Sequence, residues 1–205
     1  MHLEVLEKKN RQIFSLLKYF PGFYLAGGTA LALQLGHRRS IDFNLFSSKK
    51  IPAYLIKEVE QVFVEWPVRI LVNNNNELTV LVSDVKVTFL FYPFPILGKL
   101  NEFQKIKLLP AEEIAATKAY TIGRRGSFKD YIDLYFIIKN QVSNLEGIIE
   151  MAEKKYGENF NARLFLEQLV YLEDIKDTDI VFLKKPVTKN SISSFFIKNI
   201  SQIKL

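Results

Sequence analysis

Residues 23–46 read FYLAGGTALALQLGHRRSIDFNLF, and most of the side chains able to do chemistry sit in or near this stretch. Gly27-Gly28-Thr29 interrupts an apolar run and opens a helix-prone one. A glycine turn at a helix start offers backbone N–H groups to a phosphate. Ile41 to Phe46 alternates apolar and polar, the period of a strand, which predicts a strand over 41–46. Ile41, Phe43 and Leu45 face one way. Asp42 and Asn44 face the other, about 7 Å apart, where they could offer oxygen ligands to a magnesium ion. Together these features suggest a site for a nucleoside triphosphate and its metal. Thr29 is placed to meet the β- and γ-phosphates. Ser40, two residues before Asp42, points to the same side, and Arg39 adds a cation beside it. His37 stands in the mouth of the proposed site.

A second group lies in 108–137, LLPAEEIAATKAYTIGRRGSFKDYIDLYFI. Lys118, Thr121 and Arg125 recur at helical spacing, and Asp130 and Asp133 share a face of the next helix. A short basic turn joins the two helices, so they should pack antiparallel and bring Lys118 near Asp133. Arg124 and Arg125 could hold phosphates of a nucleotide or of RNA. An interhelical surface salt bridge explains the same pattern without any ligand.

Two histidines and no cysteine argue against zinc. A hydrolase built from Ser40, His37 and Asp42 is disfavoured, because three groups on one short segment do not easily converge.

Elements that must position these groups follow from the periodicity. Helices are expected over 3–20, 30–35, 52–65, 111–122, 128–139, 144–156, 161–172 and 191–203, with Ser127 and Ser143 as N-caps. Strands are expected over 23–25, 68–72, 78–82, 85–92 and 106–108, with 173–190 as a loop. This gives an α/β part, 1–108, and a helical part, 109–205.

The chain has 205 residues with a 48% hydrophobic fraction, 17 Phe and 9 Tyr, which supports a real core. Absent cysteines suit a cytoplasmic protein. No basic-then-apolar leader follows Met1, so secretion is not expected, and no apolar run reaches the ~20 residues of a membrane span. A net charge of +6 fits an anionic partner such as nucleotide or RNA, and equally a lysine-rich composition bias.

The segment GGTALALQLGHRRSIDFNLFS resembles the AbiEii/AbiGii toxin family within the polymerase-β-type nucleotidyltransferase superfamily, which includes the MenT-like toxins. The segment around Lys118 and Asp133 is similar to the family's later motif, so the likeness covers roughly residues 20 to 140 in two blocks. It implies an α/β (α+β) nucleotidyltransferase fold: a short mixed sheet flanked by helices, then a C-terminal helical bundle that contributes Lys118 and Asp133. It implies a transferase using Mg²⁺ or Mn²⁺ and an NTP, with an RNA (tRNA-like) or protein hydroxyl as acceptor and a separate antitoxin protein as partner. Asp42, Lys118, Asp133 and its rival Asp130 are then the catalytic set. Gly27, Gly28, Thr29, Ser40, Arg39, Lys118 and Arg125 hold the nucleotide, and Asp42 and Asn44 hold metal. In MenT-like relatives a Ser or Thr at the position of Ser40 borders the site. Asp133 could orient Lys118 or accept the acceptor's proton.

Two departures stand out. Asn44 occupies the place of the second acid of Asp-x-Asp. Thr88, in Val85-Lys86-Val87-Thr88-Phe89, occupies the place where some members carry a third, and Asp84 reads as a turn former. The rival reading is a catalytically weak or inactive homologue that binds nucleotide, RNA or protein.

Overall fold

The central strand of the molecule carries Asn44 and sits where its own alternation places it. A computed structural model describes residues 1–124, 126–176 and 178–203. Seven strands form one mixed sheet: β1 Tyr24–Ala26, β2 Phe43–Ser47, β3 Val68–Asn73, β4 Glu77–Val82, β5 Val85–Phe91, β6 Asn101–Phe103 and β7 Ile106–Leu108. Their order is β3-β4-β5-β2-β1-β7-β6. β2 runs parallel to β5 and antiparallel to β1, and β1 runs parallel to β7. Phe43 and Leu45 point into the core while Asn44 and Phe46 are half-buried, which is the sequence's own period of two.

Eight α-helices are found among the described residues: α1 Lys8–Leu16, α2 Gly27–Leu35, α3 Leu55–Val62, α4 Ala111–Ile122, α5 Phe128–Lys139, α6 Leu145–Tyr156, α7 Ala162–Val170 and α8 Lys189–Ile200. None is long and apolar enough to cross a membrane. α2 is apolar on every side and correspondingly buried, with Ala30 to Leu33 sealed from solvent. It ends at Gly36, whose left-handed backbone (φ 62°) lets its N–H bond the Ala32 carbonyl at 2.8 Å. One hydrophobic cluster runs from Val5 to Phe196. It includes Phe43 and Phe89 from the sheet and Phe14, Tyr131, Phe165 and Phe196 from the helices. Trp66, partly buried, packs against it.

Several expectations need correction. The strand begins at Phe43, not Ile41, and Ile41 is 58% exposed. The N-terminal segment holds residues 40–41 out of the ladder: Ser40 N–H bonds the Val5 carbonyl at 3.1 Å, and Asn10 bonds the Ile41 carbonyl at 2.8 Å. The first helix is broken into a 3-10 turn, α1 and a second 3-10 turn. Ser127 stands at the N-cap of α5 without a side-chain bond, and α6 is capped by Asn144 rather than Ser143. β6 carries no apolar alternation of its own and pairs with β7 at the sheet edge. Residues 180–184, expected to be loop, pair with 37–39: Arg39 N–H bonds the Val181 carbonyl at 2.8 Å, and Leu183 N–H bonds the His37 carbonyl at 3.0 Å.

Candidate active site

α2 starts directly from β1, with Ala26 at the N-cap and no side chain capping the helix. Gly27 takes φ 68°, in the left-handed region that favours glycine. A Cβ there would also lie 3.1 Å from the Asn44 amide nitrogen. At Gly28 a Cβ would sit 2.5 Å from the Arg38 guanidinium, so any larger residue there must displace the arginine from its place over Asp133. The Thr29 hydroxyl donates to the Asp42 carbonyl and lies 2.7 Å from the Ser40 hydroxyl. Thr29 thus ties the helix start to the segment bearing Asp42.

The two sequence blocks meet here. A cleft of about 400 Å³ is lined by Gly28, Thr29, Arg39, Ser40, Asp42 and Asn44 from the first block and by Lys118 and Asp130 from the second. Arg38, Ile41, Lys86, Ser127, Lys129 and residues 179–181 complete the lining. Gly27, expected to hold the nucleotide, is not among the lining residues and lies behind the Asn44 side chain. Asp133 is fully buried beneath the cleft, and Arg125 lies outside the described residues. Arg124 turns elsewhere: it stacks 3.8 Å over Tyr120 and donates to the Asn159 carbonyl. Asp84 pairs with Lys9 on the surface at the turn between β4 and β5.

Asp133 is the centre of a buried knot. Arg38 grips it with two nitrogens at 2.8 and 3.0 Å, Lys118 approaches to 2.7 Å, and His37 bonds it at 2.9 Å. Lys118 also holds Asp130 at 2.6 Å. Burial works to raise the Asp133 pKa. The charges of Arg38 and Lys118, with the hydrogen bonds from His37 and Arg38, overcome it and hold the carboxyl well below its usual range. Burial works to lower the Lys118 pKa, yet Asp133 and Asp130 raise it above the ordinary lysine value. His37 is not in the mouth of the site but sealed from solvent. Burial lowers its pKa despite the bond to Asp133, and its Nδ1 has no hydrogen-bond partner. It faces Asp133 rather than Ser40, so no Ser40–His37–Asp42 relay forms.

Asp42 is different. Its side chain is about half exposed, at 48%, and its ion-pair partner is Lys86 at 3.3 Å. β2 and β5 pair Phe43 with Val87 and Asn44 with Thr88, and Asp42 and Lys86 stand one residue before that pairing begins. Thr88 turns its hydroxyl to Thr79, at 3.0 Å. Among the described residues no group of three or more His, Cys, Asp or Glu side chains could hold a metal. One carboxylate and one amide oxygen fit a single magnesium ion that brings phosphate oxygens with it. They do not fit a preformed pair of ions.

Sequence reasoning missed Lys86, Arg38 and the wall at 179–181. Arg38 was visible as half of a basic doublet, but its partner stands far along the chain. A larger hollow of about 610 Å³, between residues 97–99 and α6, holds no comparable constellation: its buried Glu113 is taken by Lys155 at 2.6 Å and by two backbone N–H groups.

Known proteins resemble the chain in sequence and in fold. The Aquifex aeolicus (strain VF5) protein aq_aa25 is 33% identical over 157 residues, 76% of each chain. The nucleotidyltransferase toxin MenT4 (Rv2826c) of Mycobacterium tuberculosis H37Rv superposes with a TM-score of 0.63 at 15% identity, covering 95% of this chain and 83% of that one. JHP933 of Helicobacter pylori gives 0.54 at 18% identity over 80% and 90% of the two chains. ANT(2'')-Ia, solved in complex with adenylyl-2''-tobramycin, gives 0.54 at 13% identity over 72% and 97%. At such identities these structures speak for the fold alone. Residues 11–197 match the sequence profile described as nucleotidyl transferase AbiEii toxin, type IV TA system, and the chain belongs to that family.

Proposed function

We propose that the cleft binds a nucleoside triphosphate and transfers its nucleotidyl group to a hydroxyl of an RNA, tRNA-like, or of a protein, with one magnesium or manganese ion. In this reading the chain is the toxin of a bacterial toxin–antitoxin or phage-defence pair and works in the cytoplasm with a separate antitoxin. One observation carries the reading: Gly28, Asp42 and Lys118, from three separate segments, line the same cleft.

The uncapped amides at the start of α2 meet the phosphates. Lys118 and Arg39 neutralise charge that builds on the departing pyrophosphate. Asp42 and Asn44 would hold the ion, which supplies charge neutralisation at the phosphates when bound. The acceptor oxygen forms a bond to the α-phosphorus, the bond from that phosphorus to the pyrophosphate oxygen breaks, and the hydroxyl proton leaves to water in the cleft. Asp133 orients Lys118 and Arg38 from below and takes no proton, since three cationic or donor side chains enclose it. Asp130 fixes the other side of the lysine.

The test is incubation with each labelled NTP, Mg²⁺ or Mn²⁺ and total RNA. Label transfer that disappears in Asp42→Ala is the expected result. A second reading has a specific observation in its favour: Asn44 and Thr88 leave Asp42 as the single acid on this strand face. Nucleotide binding with no transfer under any condition would establish a binding module instead. Activity that arises only in Asn44→Asp would mark a degenerate enzyme.

A further inference from the structure

The strand face beneath the cleft carries an unusual balance of charge. Asp42, Asn44, Lys86 and Thr88 lie side by side on β2, β5 and the residue preceding β2. Their formal charges are one negative and one positive, so the face is neutral. A face bearing several carboxylates would repel a triphosphate until divalent ions screened it. A neutral face carries no such repulsion.

We propose that Lys86 is a catalytic, phosphate-binding residue that stands in for one divalent cation. The inference rests on the nucleotide-binding reading above and deepens it. In the free protein the Lys86 ammonium sits 3.3 Å from the Asp42 carboxylate, and both side chains are nearly half exposed. An ion pair this wet is weakly held. It keeps the two charges in place until ligands arrive. When the nucleotide enters, Lys86 turns from Asp42 to a phosphate oxygen, and Asp42 is released to a single divalent ion. No covalent bond of the protein changes in this exchange.

Three observations favour this over an ordinary surface ion pair. Both partners line the cleft rather than the outer surface. The neighbours that would make a second ion site are an amide and a hydroxyl, and the hydroxyl is already turned to Thr79 at 3.0 Å. The parallel pairing of β2 with β5 begins at Phe43 and Val87, and Asp42 and Lys86 stand one residue before it, which places the ammonium beside the carboxylate that would hold the ion.

The experiment measures equilibrium binding of each labelled NTP to the intact protein, in EDTA and in Mn²⁺, together with Mn²⁺ stoichiometry by electron paramagnetic resonance. The wild type is expected to bind its preferred NTP in EDTA and to hold one Mn²⁺ per bound nucleotide. Lys86→Met should weaken binding in EDTA by about tenfold to a hundredfold, the worth of a charged hydrogen bond to phosphate. Lys86→Arg should keep most of the metal-free binding. The double variant Asn44→Asp with Lys86→Met should take up a second Mn²⁺. Nucleotide binding that needs a divalent ion in the wild type and is unchanged in Lys86→Met would overturn the role of Lys86 while leaving the nucleotide site standing. Absence of NTP binding under every condition would overturn both.

Discussion

Two charged groups meet at the floor and base of one cleft, and they behave oppositely. The knot of His37, Arg38, Lys118 and Asp133 is dry, with Asp133 and His37 fully sealed. The pair of Asp42 and Lys86 is wet. The dry knot cannot give up Asp133 without stranding a charge in the interior, so it serves as a fixed frame that holds Lys118 at the cleft wall. The wet pair can exchange partners cheaply, so it can meet a ligand. The difference teaches that a carboxylate's position in a family motif does not decide its role. Solvent access and the number of bound cations do.

The contrast is broken most sharply at Asp133. Asp133→Ala leaves the buried Arg38 without its carboxylate and Lys118 with Asp130 alone, and the expected loss of stability is about 3–5 kcal/mol, read by urea unfolding. A loss under about 1 kcal/mol would mean the knot is no frame. Asp42→Ala should do the reverse: stability within about 0.5 kcal/mol of wild type, but label transfer reduced about 10²- to 10³-fold, the range for loss of a group that organises transition-state charge. Gly28→Ala tests the join between the two regions. Its methyl must push Arg38 aside, and a destabilisation of about 1–3 kcal/mol is expected, with a weaker grip on Asp133.

The smallest effect is pH dependence from the dry side. Burial lowers the His37 pKa from 6.5. Between the folded value and 6.5 the unfolded chain therefore binds more protons, and stability rises with pH in that window. Taking the protein from pH 7.5 to 5.5 should lower its urea midpoint, and His37→Gln should flatten that slope by up to about 1.4 kcal/mol per pH unit. Asp133 acts in a separate window. Its lowered pKa contributes stability above the ordinary carboxylate pKa, and that stability is lost only as strong acid passes through the folded value. A slope between pH 7.5 and 5.5 that persists in His37→Gln would assign it to other groups.

Local pattern made much of this legible. Gly27 to Leu35 read as a turn and helix, the strand over 85–91 followed its alternation, and Pro110 with two acids announced α4. The antiparallel placing of α4 and α5, with Lys118 beside Asp133, followed from a short connection. What stayed hidden depended on long-range pairing. Lys86 reads as a polar position on a strand until β5 is known to lie parallel to β2. His37 and Arg38 read as exposed turn residues until α5 supplies Asp133. Ile41 fits the alternation, yet the backbone contacts from Val5 and Asn10 draw its neighbourhood out of the ladder.

The pairing of residues 37–39 with 180–184 has a consequence for synthesis. Arg39 emerges from the ribosome early, and its partner Val181 very late. Until Leu183 has been translated, the cleft lacks its wall at 179–181, although every residue of the knot and the wet pair is already present. Nascent chains stopped between residues 140 and 178 would carry the knot and the wet pair around an unfinished cleft. Completion of the site is thereby delayed to the last part of translation, and a partner able to occupy residues 37–39 first could intercept the chain before its cleft is built.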